Sequence, residues 1–123
     1  MTSSVVTATD LEIIEDEGEE GTLVRLRGRL SIDSSPAFRD RLLALLRRQS
    51  PAAVIVDLTE VTYLDASGIA TLVEGLKTAR NRQATLCLKG LQGRVRHLLE
   101  VTGLLHLFET CGGKSASSTV KVS

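Results

Sequence analysis

The sequence predicts an α/β domain: a small sheet with helices packed against it, in the order β-β-α-β-α-β-α-β. Three observations lead there. "TLVRLRGRL" (22–30) alternates with a period of two, setting Val24, Leu26, Gly28 and Leu30 against Leu23, Arg25, Arg27 and Arg29, the mark of a half-buried strand. "SPAFRDRLLALL" places Phe38, Leu42, Leu45 and Leu46 on one helical stripe. "AAVIVDL" (52–58) is an unbroken apolar run of strand length. Strands alternating with helices after an opening hairpin imply right-handed crossovers and a mostly parallel sheet.

Each element follows from its residues. Residues 1–9 are small and polar, which predicts a flexible tail, and the domain is expected over 10–110. "LEIIE" (11–15) is a short strand, "DEGEEG" (16–21) its turn, and 22–30 the second arm of a hairpin. Ser34 and Ser35 before Pro36 signal a helix start. Arg47 and Arg48 suit the negative end of its dipole, and Pro51 stops it. The run 52–58 reads as a strand covered on both faces. A second helix carries Ile69, Leu72, Val73 and Leu76 on one face, with Ala79 or Arg80 closing the next turn. "ATLCLKG" (84–90) is another buried strand. Leu91, Val95, Leu98 and Leu99 mark a third helix that stops near Gly103, and "LLHLFET" (104–110) supplies a last strand. Residues 111–123 are rich in glycine and serine and predict a flexible tail, in which "TVKV" has the pattern to pair with a sheet edge.

Composition narrows the function. A chain of 123 residues fits one domain, and 15 basic side chains balance 15 acidic ones. That balance gives no electrostatic pull toward nucleic acid or an anionic membrane, and 2% aromatics offer no base-stacking platform. No run approaches the roughly 20 apolar residues of a membrane helix. Cys87 and Cys111 have no metal-ligand spacing, and the simplest setting for them is a reduced cytoplasm.

The distinctive stretch is "YLDASGIATLVEGL" (63–76). An extended segment ends at Leu64, helical periodicity begins at Ile69, and between them stand a carboxylate, a small residue, a hydroxyl and a glycine. Asp65 and Ser67 are both able to cap the helix; if one does, the other is left over. Leu64, Ala66 and Ile69 would give the spot a modest apolar rim. A phosphoryl group on Ser67 would bring about −1.5 to −2 charges. The helix N-terminus would favour that charge and Asp65 would oppose it. Other chemistries fit less well. Asp57 ends a strand as a receiver-type phosphoacceptor would, yet no acidic pair stands ready to hold a magnesium ion. "DASGI" is not the G-x-S-x-G elbow, and neither His97 nor His106 is set up as a base for Ser67. "KGLQGRV" (89–95) lacks both G-x-G-x-x-G and a G-K-[ST] ending, so it reads as a helix entry.

From "AAVIVDL" through "YLDASG" and "ATL" to "TGLLHLF", with "LRGRLSIDSSPAFRDRL" before it, the chain resembles a STAS domain, in particular a bacterial anti-sigma factor antagonist. The resemblance spans roughly residues 10–110. It implies a small mixed sheet with helices against it, no enzymatic activity and no cofactor. The implied partner is an anti-sigma factor that is itself a serine kinase, bound by the unmodified form and released when the motif serine is phosphorylated; a phosphatase resets the site. Carried over, Ser67 is the phosphoacceptor and Asp65 the motif acid. Ser31, Asp33, Leu64, Asp65, Ala66, Gly68 and Ile69 form the docking surface. Two residues depart from the family pattern. Ser31 stands where an aspartate follows G-x-L, leaving Asp33 as the nearby carboxylate, and Ala66 stands where serine is frequent. The rival implication is a STAS scaffold or accessory subunit of another complex, such as a stress-signalling assembly or a lipid-transport ABC system.

Overall fold

A computed structural model describes residues 2–19, 21–48 and 53–107. The order is β1 (Thr2–Ala8), β2 (Leu11–Gly18), β3 (Gly21–Leu30), α1 (Ser35–Leu46), β4 (Ala53–Leu64), α2 (Ala66–Asn81), β5 (Thr85–Lys89) and α3 (Gly93–Val101). The five strands form one mixed sheet in sequence order. β1, β2 and β3 pair antiparallel, and β3, β4 and β5 pair parallel.

The ends depart from expectation. Residues 2–8, expected as part of a loose tail, are β1, an edge strand paired to β2 from Thr2↔Glu17 to Ala8↔Leu11. Backbone pairing holds this strand, whose Val5 is exposed, and pairing of that kind leaves no apolar periodicity to read. Thr9, at φ 55°, turns the chain into β2. The strand expected over 104–110 is not extended in its described part: residues 105–107 are helical. A short apolar run such as "LLHL" suits either state. Residues 108–110 and the expected tail 111–123 lie outside the described residues.

Strand progression in one direction, β3 to β4 to β5, with right-handed crossovers puts α1 and α2 on one face of the sheet. That face carries the core: Leu11 and Ile13 of β2, Val24, Leu26 and Leu30 of β3, Val54, Val56, Leu58, Val61 and Leu64 of β4, and Leu86 and Leu88 of β5. Phe38, Leu42, Leu45, Leu46, Leu72, Leu76, Ala79, Val95 and Leu99 press on it from the helices. The core stripe expected for α1 is buried throughout. One expectation fails: β4 is not covered on both faces. Its second face shows half-buried Ile55 and Asp57, and Ile55 packs with Cys87 in a separate small cluster. On the same face the β3 arginines alternate outward into ion pairs, Arg25 with Asp16 (3.3 Å) and Arg27 with Glu12 (3.3 Å) and Glu60 (2.7 Å). On the core side, α1 is tied to β2 by a bidentate pair, Arg41 Nε and Nη2 to Glu15 at 2.6 and 2.7 Å.

β4 is longer than β5 and out of step with β3. Its register slips between Arg25 and Arg27 and again between Gly28 and Arg29. At the first slip Asp57 Oδ1 accepts hydrogen bonds from Thr59 N (2.9 Å) and Thr59 Oγ1 (2.5 Å), closing the irregularity. Gly28 (φ 116°) is obligatory beside this region, because a Cβ there would stand 2.2 Å from Asp10 O. The slips still leave Leu30 opposite Leu64, so β3 and β4 end side by side. α1 and α2 therefore begin at the same end of the sheet.

Candidate functional site

Two helix starts meet where β3 and β4 end. After Leu30 the chain makes a tight loop. Ser31 N donates to Ser34 Oγ (3.0 Å), Ser34 Oγ donates to Arg29 O (2.7 Å), and Asp33 N donates to Ser31 Oγ (3.2 Å). Ser34 precedes α1 yet spends its hydroxyl on this loop rather than on the helix. The loop pushes Ile32 outward, 71% exposed.

After Leu64 the cap is a carboxylate. Asp65 Oδ1 accepts from Ser67 N (3.0 Å), Gly68 N (3.3 Å) and Ser67 Oγ (2.6 Å). Its Oδ2 accepts from Ile32 N (3.2 Å), so one side chain caps α2 and holds the loop before α1. These bonds, with the Ser67 hydroxyl first among them, keep the Asp65 carboxyl below its ordinary value. Asp65 is the cap, and the Ser67 hydroxyl is the group left over.

That hydroxyl is less open than the sequence suggests. Ser67 is half-buried, and Ser35 Oγ from α1 lies 3.1 Å from Ser67 Oγ. The Ser67 carbonyl accepts from Thr71 Oγ1 at 3.0 Å. The residues expected to surround it divide. Ala66 and Asp33 are exposed, and Ser31, Asp65 and Ile69 are half-buried. Leu64 and Gly68 are buried, so they support the site from beneath and present no rim. A Cβ on Gly68 would meet Leu64 Cδ1 at 2.6 Å and Leu30 Cγ at 2.9 Å, so glycine lets α2 start close against the two strand ends.

Sequence reasoning missed the apolar contribution of Ile32 and the contribution of α1. Ser35, Pro36 and Arg39 line one shallow depression with Ser67, Thr71 and Glu74. The signal present was the helix start at Ser34–Pro36; what placed it beside Ser67 was the sheet order. The other candidates stay apart. Asp57 is occupied with Thr59, and Gly90 packs so close that a Cβ there would stand 2.1 Å from Thr59 Oγ1. The hydrogen-bond partners of the Ser67 hydroxyl are Asp65 and Ser35, with His97 and His106 both exposed on or beyond α3. Among the described residues no helix is long and apolar enough to cross a membrane.

The family model described as "Mlab, STAS domain" matches residues 14–109. The chain belongs to the STAS family. An anti-sigma-B factor antagonist of Listeria monocytogenes is 44% identical over 54 residues, 44% of this chain and 47% of that protein. The chain thus spans about half the length of that relative. An anti-sigma-B factor antagonist of Bacillus subtilis is 26% identical over 93 residues, 76% of this chain and 84% of that one. In three dimensions the STAS domain resembles an anti-sigma-factor antagonist (STAS) domain protein from Planctomyces limnophilus, with TM-score 0.68 and 22% identity over 78% of this chain and 86% of that one. At that identity the likeness concerns the fold alone. The mixed five-stranded sheet with its helices is the STAS arrangement that the resemblance implied.

Proposed function

We propose that this STAS domain is a cytoplasmic, non-enzymatic switch, an anti-sigma factor antagonist. Unmodified, it binds an anti-sigma factor that is a serine kinase; phosphorylated on Ser67, it releases it. The observation that carries the reading is the division of labour at the α2 start. Asp65 makes the capping bonds, and the Ser67 hydroxyl remains beside exposed Ala66 and across the Asp65 bridge from exposed Ile32. The names of the relatives supply the class of partner.

In the proposed reaction the kinase brings ATP. Ser67 Oγ bonds to the γ-phosphorus, the bond from that phosphorus to the bridging oxygen breaks, ADP leaves and the hydroxyl proton passes to a base. Hydrolysis by a phosphatase restores the hydroxyl. The off-switch is electrostatic. A group carrying about −1.5 to −2 charges must be desolvated under a docked partner, next to the Asp65 carboxylate.

The test is labelling by the cognate kinase with ATP. The wild type incorporates phosphate and Ser67→Ala incorporates none; undiminished labelling of that variant sinks the proposal. Ser67→Asp should bind the kinase at least tenfold more weakly, about 1.4 kcal/mol. A second reading is an accessory or scaffold subunit of another complex, such as a stress-signalling assembly or a lipid-transport ABC system. What supports it is that the matching family model is described by its STAS domain, with no anti-sigma role in the description. It predicts equal binding of its assembly by wild type, Ser67→Ala and Ser67→Asp.

A further inference from the structure

Ser67 belongs to a ladder between two helices. Ser35 and Arg39 stand one turn apart on α1; Ser67, Thr71 and Glu74 follow one another along α2. Ser35 Oγ meets Ser67 Oγ at 3.1 Å, and farther along Arg39 holds Glu74 bidentately, Nε to Oε1 at 2.8 Å and Nη2 to Oε2 at 2.6 Å. All of these residues line the same open depression of about 330 Å³, which has room for a phosphoryl group. Its charges are unequal. The lining includes the carboxylates of Asp40 and Glu74, with Asp65 touching Ser67 at 2.6 Å, and the cation among the lining residues is Arg39.

We propose that Arg39 is the internal ligand of the phosphoryl group on Ser67, and that it reaches that group by letting go of Glu74. The inference rests on the reading of Ser67 as the phosphoacceptor and adds how the modified state is held. A phosphoserine here stands against the Asp65 carboxylate, in a depression also lined by Asp40 and Glu74, and needs a cation. It offers three strong acceptor oxygens, which suit the planar fork of arginine. Arg39 also stands 3.8 Å from Asp40, and because it and Glu74 are 45% and 41% exposed, water competes for both contacts and a doubly charged phosphate can displace them. Arg39 is rooted one turn from Ser35 and Glu74 lies two turns from Ser67, so the guanidinium swings back by one to two turns, roughly 5–10 Å, on its flexible stem. Glu74 is not left unbalanced: Arg47 and Lys77 also act on it and help hold its carboxyl low, after Arg39 itself. Phosphorylation thus exchanges one tie between α1 and α2 for another, and the α1–α2 seam becomes part of the phosphorylated state.

The experiment places phosphoserine at position 67 of the full chain by co-translational incorporation, so no kinase is needed, and follows the second ionisation of the phosphate by ³¹P NMR. A guanidinium in contact favours the dianion and lowers that pKa. Arg39→Gln should therefore raise it by about half a unit to one unit, the lower end of what a neighbouring opposite charge does. The difference should persist in high salt, because a direct contact is screened far less than a remote charge. Glu74→Gln, which removes the competitor and keeps the arginine, should leave the phosphate pKa at or below that of wild type. Equal pKa values in wild type and Arg39→Gln overturn the proposal, as does a difference that disappears with salt. Failure of the kinase to label Ser67 would remove the functional reading and leave this measurement standing; the converse also holds.

Discussion

The starts of α1 and α2 occupy equivalent places, each following one of two neighbouring parallel strands whose last residues, Leu30 and Leu64, are paired. They solve the same problem differently. At α1 the capping position is a serine that is fully buried and turned back into its own loop. At α2 it is an aspartate that reaches two helix amides and the amide of Ile32. The neutral start spends its hydroxyl inside its own loop. The anionic start holds a loop that is not its own, and it leaves a serine beside a negative charge. A hydroxyl is tied into structure at the first and, in the proposed function, is the group to be modified at the second, because the cap differs.

The contrast is most severely tested at the packing that brings both starts together. Gly68→Val should cost about 3 kcal/mol in urea unfolding, since its branches enter space already taken by Leu64 and Leu30. A loss below 0.5 kcal/mol, as an order of magnitude for a surface site, would mean that the strand ends are not packed as described. Next in size is the cap. Asp65→Ala should lose about 2 kcal/mol, the upper range for a capping residue. Asp65→Asn keeps an acceptor and should lose less, with a pH signature. The Asp65 carboxyl is held below its ordinary value, so its contribution is whole above the unfolded carboxyl value of about 3.9. It disappears as pH falls through the lower folded value. The stability difference between wild type and Asp65→Asn should hold steady from neutral pH to roughly pH 4 and close below it; a difference independent of pH would show that the charge does nothing. The smallest effects separate two adjacent serines. Ser34→Ala strands Ser31 N and Arg29 O and should cost about 1–2 kcal/mol. Ser35→Ala leaves Ser67 still bonded to Asp65 and should cost about 0.5 kcal/mol. Reversal of that order would exchange the roles given to them.

Much of this was legible in the residues. The stripe of Phe38, Leu42, Leu45 and Leu46 fixed α1 and its buried face, and the alternation over 22–30 fixed which β3 side chains point outward. The motif "DASG" announced a helix start with one capping group to spare. What stayed hidden depends on groups distant in the chain. β1 is held by backbone pairing with β2, which leaves no side-chain period. Ser35 and Ser67 are 32 positions apart, and their contact follows from the order of β3 and β4. Leu64 looked like surface because it ends a strand before a polar motif. It is core because the two slips in β4 cancel in side-chain parity, leaving Leu64 on the inward face of Val54, Val56 and Leu58, opposite Leu30.

The unequal lengths of β4 and β5 carry a last consequence. The described ladder between them stops at Asp57↔Lys89, and β4 runs on to Leu64 along β3 alone. The platform under Ser67, the proposed phosphoacceptor, is among the described residues a cantilever, clamped along one border. Amides of this overhang that point away from β3 face no strand among the described residues and should exchange with deuterium sooner than those of Val54 and Val56. A docking protein that grips this end of the domain would slow that exchange, giving a readout of engagement that needs no label on the partner.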